Sequence, residues 1–112
     1  MGEEKDGQSV DMQEYFNAFD QKDGETFTIS VNLNGKDFPF TFKKSALAFD
    51  IFQEEQKEDA DTATRNALLS TAVRPDGPTL QKLFKQDFTL PTVLSGPYAE
   101  AIGLHRKSFL KK

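Results

Sequence analysis

Two runs of alternating polar and apolar residues, joined by Asn34-Gly35, constrain this chain more than any other feature. Residues 26–33 carry Phe27, Ile29, Val31 and Leu33 at every second position, and residues 36–42 carry Phe38, Phe40 and Phe42 in the same way. Successive side chains of a strand point to opposite faces, so each run has one apolar side. Asn-Gly is the favoured pair for a two-residue type I′ turn, in which both positions need positive φ. With that pair as the loop, Val31 falls opposite Phe38, Ile29 opposite Phe40 and Phe27 opposite Phe42. All six large residues then share one face. Turn and pattern specify the same register independently, so the spacing predicts a β-hairpin over residues 26–43. Pro39 falls opposite Ser30 at a non-hydrogen-bonded site, which puts its missing N–H on the outer side of the second strand. That strand is then an edge, or the sheet has two strands only.

Helical spacing dominates elsewhere. Asp11 followed by Glu14 makes a capping-box-like start, and Met12, Tyr15, Phe16 and Phe19 fall on one face of the helix that follows. Residues 10–20 therefore read as an amphipathic arm, ended by Asp20-Gln21-Lys22-Asp23-Gly24. After the hairpin, Ser45 can cap a helix with Ala48, Ile51, Phe52 and Glu55 along one side. The polar run 53–61 contains a turn, and Asp61 or Thr62 caps a third helix with Leu68, Leu69 and Ala72 inward. Arg74-Pro75-Asp76-Gly77-Pro78 stops that helix and starts another, with Leu80, Leu83 and Phe84 inward. Leu90-Pro91 opens a last helix with Leu94, Tyr98, Ala101 and Ile102 on one face, and Gly103 with Leu104 closes it. Gly96-Pro97 is expected to kink or split it. The fold class is α+β: an N-terminal hairpin, alone or as the edge of a small antiparallel sheet, packed against about four short C-terminal helices. Residues 26–104 form the domain, 1–9 a disordered tail and 105–112 a basic flexible tail.

Length and composition agree with one core. A chain of 112 residues has room for one ordinary domain. Its hydrophobic content is only 37%, but eleven residues are Phe, which bury a large area each. Cysteine is absent, which removes disulfides, thiolate nucleophiles and thiolate metal sites together. The polar, acidic start offers no apolar stretch for export, and no window approaches a membrane span. The expected location is cytoplasmic. Residues 1–25 carry eight acids and two bases, and residues 105–112 four bases and no acid, within a net charge of −4. Opposite-sign ends read as solvated tails, and the acidic balance argues against nucleic acid.

No chemical motif survives inspection. His105 stands alone in the basic tail without a group to orient it as a catalyst. Glu54, Glu55, Glu58, Asp59 and Asp61 read as a solvated helix end rather than a cation site. Aligning Gly24 with the glycine of a calcium loop puts Phe19 at the first ligand position, and the pattern fails. Phe38, Phe40 and Phe42 sit on the face that must be core, which removes them as a base-stacking platform. The expectation is a non-enzymatic protein with no catalytic residue, no metal and no cofactor, which works by binding another protein. Met12, Tyr15, Phe16 and Phe19 are the candidate partner-binding residues.

Two stretches also carry a family resemblance. One is the hairpin running into a helix, Phe27 to Phe52, where Phe38-Pro39-Phe40-Thr41-Phe42-Lys43-Lys44 precedes the helix. The other is Thr64-Arg65-Asn66-Ala67-Leu68-Leu69, then Val73-Arg74-Pro75, Leu80 to Phe84, Leu90-Pro91 and Ile102-Gly103. In this order the chain resembles the tail assembly chaperones of long-tailed phages and prophages over about three quarters of its length. The resemblance implies transient, non-enzymatic binding to the tape measure protein or to tail tube subunits in the host cytoplasm. A small acidic adaptor or regulator, or a structural virion subunit such as a connector or tail completion protein, would suit the same features.

Overall fold

In the computed structural model, which describes residues 11–111, the hairpin forms in the expected register. Strand β1 (Thr26–Leu33) pairs antiparallel with β2 (Lys36–Lys43), and Val31, Ile29 and Phe27 face Phe38, Phe40 and Phe42. Asn34 and Gly35 take φ of 54° and 80°, the left-handed values a type I′ turn demands. The tail expected at 1–9 lies outside the described residues.

Four helices follow, α2 (Ala46–Glu55), α3 (Ala60–Thr71), α4 (Gly77–Gln86) and α5 (Leu90–Ala101), after a short N-terminal α1 (Met12–Ala18). The protein is α+β. Helices α3 and α5 lie on the apolar face of the hairpin, and α4 packs beside them. Ile29, Phe40 and Phe42 from the sheet meet Leu68, Leu80, Phe84, Leu90 and Leu94 in a single core. The opposite sheet face is polar, with Thr28 and Thr41 hydroxyls 2.9 Å apart and Asn32 donating to Asp37 at 2.8 Å.

The sheet corrects one expectation. A third strand, β3 (Ala72–Arg74), pairs antiparallel with β2, so β2 is central rather than an edge. By helical spacing alone the residues of β3 read as the end of the third helix and its stop. Pro39 still limits the pairing. β3 meets β2 only at Thr41 and Phe42, beyond the point where the missing N–H would leave a gap in the ladder.

Helix boundaries follow from capping. Ser45 accepts from the Ala48 amide at 3.0 Å, as expected. The third helix starts earlier than Asp61 or Thr62, because Asp59 takes the N-cap and accepts from the amides of both. The hydrogen bond from Thr62 holds the Asp59 carboxyl below its ordinary pKa, and Thr79 does the same for Asp76 at the cap of α4. Gly103, at φ 91°, ends α5 in a Schellman turn. Leu104 N–H donates to Ala99 at 2.8 Å and Gly103 N–H to Glu100 at 3.0 Å.

Gly96-Pro97 does not split α5, which runs unbroken from Leu90 to Ala101. Proline at 97 deprives only the Val93 carbonyl of its helical donor. Val93 is half exposed, so the loss falls on a turn that water reaches.

Candidate functional site

The composition of α2 sets up the site. Leu47, Ala48, Phe49, Ile51 and Phe52 are five apolar residues within six positions. At about 100° per residue they wrap most of the helix, too far round for one neighbour to cover. In the fold α2 packs chiefly on α3 and buries no residue completely. Ile51, expected on the inward side, is half exposed, and Leu47 is 70% exposed. Phe49 and Phe52 are half-buried and stack on each other with ring centroids 6.2 Å apart.

Between α2, α3 and α5 an apolar groove of about 730 Å³ stays open. Ala48, Phe49 and Phe52 form one wall, Ala67 the floor, and Ala99 and Ile102 the other wall. Gly96 adds to the opening, since a Cβ there would meet nothing within 4 Å. Lys22, Asp23, Lys44 and Arg106 also line the groove. The linker that carries two of these is pinned. Asp23 accepts from the Ala46 amide at 2.7 Å, Gly24 donates to the Lys44 carbonyl at 2.7 Å, and Lys44 pairs with Glu25 at 3.2 Å. The Lys44 ammonium holds the Glu25 carboxyl below its usual range, by hydrogen bond and by charge.

Tyr98 sits where the groove meets the core. Its ring packs edge-on against Phe42 and Phe27, at 5.4 and 5.5 Å. Its hydroxyl lies 2.9 Å from that of Thr71, which is also 2.7 Å from the Ala67 carbonyl. A carbonyl only accepts, so the one Thr71 proton goes to Ala67 and Tyr98 donates to Thr71. Burial raises the Tyr98 pKa. The folded state therefore favours neutral tyrosine, and that stability is present below about pH 10 and lost as pH rises through the folded pKa. Tyr98→Phe is expected to cost about 1 kcal/mol at neutral pH and to flatten the fall in stability above pH 10. Urea midpoints of the two proteins between neutral and alkaline pH measure both effects.

The residues expected to bind a partner are only partly brought together. Met12, Tyr15 and Phe16 lie exposed on α1, with Phe16 at 67%. Phe19 instead folds onto the domain. Its ring covers Gly103, where a Cβ would come within 2.6 Å, and the Arg106 guanidinium stands 4.3 Å from its centroid. Arg106 also donates to the Gly103 carbonyl at 2.8 Å and to the Tyr15 hydroxyl. The groove itself was not anticipated. Its signal in the sequence is the apolar belt of α2, of which helical spacing assigns only one stripe to the core.

The groove walls offer contact to apolar side chains, with charged residues at the opening. His105 is exposed beyond the end of α5. Three acids of the run have structural partners: Glu54 pairs with Lys57, Glu55 accepts from Asn66, and Asp59 caps α3. Among the described residues no three His, Cys, Asp or Glu side chains gather as a metal site, and no helix is long and apolar enough to cross a membrane.

No protein-family model and no curated protein matches the chain. Its fold is similar to the solved structure of an uncharacterised protein from Bacillus stearothermophilus, with a TM-score of 0.62 at 19% identity. The similarity covers 90% of this chain and 100% of that one. At that identity the likeness shows a shared fold and nothing about activity.

Proposed function

We propose that this chain is a non-enzymatic tail assembly chaperone that holds apolar helical segments of a client, the tape measure protein or a tail tube subunit, before a phage tail assembles. The observation that carries this reading is the open groove between α2 and α5. An amphipathic helix binds by laying apolar residues at i, i+3, i+4 and i+7 into such a trough, and Phe49, Phe52 and Ile102 supply apolar walls for them. The resemblance of residues 27–52 and 64–103 to tail chaperones supports the choice of client. Co-expression with a phage tape measure protein is the test. The client is expected to stay soluble and to co-purify with this chain, and the chain is expected to be missing from finished particles. An insoluble client despite abundant chain removes the chaperone reading, and incorporation into particles replaces it with that of a virion subunit.

A further inference from the structure

Strand β1 has a free edge. Among the described residues it pairs with β2 on one side and with no strand on the other, since the sheet runs β1-β2-β3. Opposite residues of an antiparallel pair alternate between exchanging backbone hydrogen bonds and not. Ser30 faces Pro39 at a non-bonded position, so its N–H and C=O point to the free edge. Those of Thr28 and Asn32, two residues away on either side, point the same way.

This edge lacks the devices that stop another strand from adding to a sheet. Thr26–Leu33 is eight residues long and holds no charge, no Pro and no Gly. The other side of the sheet is blunted, because Pro39 interrupts the outer ladder of β2 and β3 has only three residues. Apolar surface accompanies the free edge. Leu33 is 59% exposed near the hairpin tip. Phe27, at the opposite end of the strand, is half-buried with its ring 5.5 Å from that of Tyr98.

The strand that fits this edge is β1 itself. Paired antiparallel with a second copy about Ser30, it sets Thr28 opposite Asn32, Ile29 opposite Val31 and Phe27 opposite Leu33. Apolar side chains then meet on one face and neutral polar ones on the other, with no like charges opposed. Opposite Cβ atoms lie about 5 Å apart, so Leu33 gains Phe27 of the second copy as a neighbour where its own helices leave it bare. The two Phe27–Tyr98 contacts stand about 20 Å apart, six residues at about 3.4 Å each. That exceeds the diameter of a helix, about 10–12 Å, and leaves space for α5 of each copy.

We infer that β1 is a dimerisation edge: it pairs antiparallel with β1 of a second copy about a two-fold axis at Ser30, joining two three-stranded sheets into one of six strands. The contact is isologous and consumes the free β1 edge of both copies, so it closes at two. No residue of β1 lines the groove between α2 and α5, so the inference stands apart from client binding.

Sedimentation equilibrium of the full chain over a range of concentrations is the test. One strand pair is a small contact, so a monomer–dimer equilibrium is expected rather than a permanent dimer. Ser30 is exposed on the polar face, and a charge there leaves the core untouched. Ser30→Lys and Ser30→Glu are each expected to weaken dimerisation about tenfold or more, because like charges then stand directly opposite. An equimolar mixture of the two is expected to restore it as a heterodimer. Hydrogen exchange needs no variant and serves if either one loses its far-UV circular dichroism: the Thr28, Ser30 and Asn32 amides are expected to slow as concentration rises. A wild type that stays monomeric up to about 1 mM overturns the inference. So does a dimer that the folded Ser30 variants leave intact, a mixture that does not re-associate, or growth into larger oligomers. Slowing of these amides only when a phage tape measure protein is added assigns the edge to a client strand and overturns the dimer.

Discussion

Phe42→Ala is expected to destabilise the protein by about 3–5 kcal/mol, the range for deleting a buried aromatic and leaving a cavity. Phe42 is 1% exposed and joins three elements. It stacks on Phe27 of β1 at 5.9 Å, meets Tyr98 of α5 edge-on at 5.4 Å, and lies on β2 opposite Ala72 of β3. Each aromatic pair adds about 0.5–1.5 kcal/mol beyond the area buried, which places the cost toward the upper end. Against a total stability of about 5–15 kcal/mol for a domain, the loss is enough to leave a measurable unfolded fraction. Phe40→Ala, at a site equally within the core, follows closely. Phe38→Ala provides the contrast. Phe38 lies on the same strand face but nearer the hairpin tip, where it is 39% exposed, and its loss is expected to cost about 1 kcal/mol or less. Urea denaturation of the three variants ranks them. A Phe42→Ala midpoint like that of the wild type would show that this sheet face is not the core.

That ranking separates what the chain makes legible from what it does not. Alternation with an Asn-Gly turn identifies the strands, their register and the buried face, because both signals are local and neither fits another register. It does not say how far along the strands the helices reach. Phe38 and Leu33 carry the same pattern as Phe42 and are exposed all the same, since α3 and α5 cover only the base of the hairpin. β3 was hidden for a related reason. Three residues are too few to show a period, and their strand conformation comes from pairing with Thr41 and Phe42. The unbroken α5 shows tertiary packing overriding a local breaker: Leu90 and Leu94 are buried and anchor a helix that continues through Pro97.

The candidate site was legible only in part. The face of α1 could be read from spacing, but its destination could not, because a short amphipathic helix looks the same whether it completes a core or waits for a partner. The groove is a non-local feature, made where α2 leaves α5 uncovered. A trace of it was nevertheless present in Leu47-Ala48-Phe49 and Ile51-Phe52. A belt of that width on a short helix exceeds what one neighbour can bury, and the surplus stays exposed at Leu47 and Ile51.

Phe49→Ala follows from this and is expected to separate binding from folding. Phe49 is half-buried on a helix that buries nothing completely, and its main partner is the Phe52 ring at 6.2 Å. Truncation therefore removes part of a groove wall while leaving the Ile29, Phe40, Phe42 and Leu68 core intact. Stability is expected to fall by about 1 kcal/mol, as for a partly exposed apolar residue. Binding should suffer more. Aromatic side chains that become fully desolvated on contact are the usual hot spots, at about 2 kcal/mol or above when truncated, which is roughly a thirtyfold loss of affinity. Leu47→Ala is the matched control, because Leu47 is an exposed apolar residue of the same helix that does not line the groove. Titrating a labelled amphipathic client helix into each variant by fluorescence anisotropy, with urea denaturation alongside, gives both quantities. Equal weakening by Phe49→Ala and Leu47→Ala would move the binding surface to the outer face of α2. No weakening by either would take α2 out of the site, since the walls that face α5 cannot hold an apolar helix without meeting the Phe49 ring.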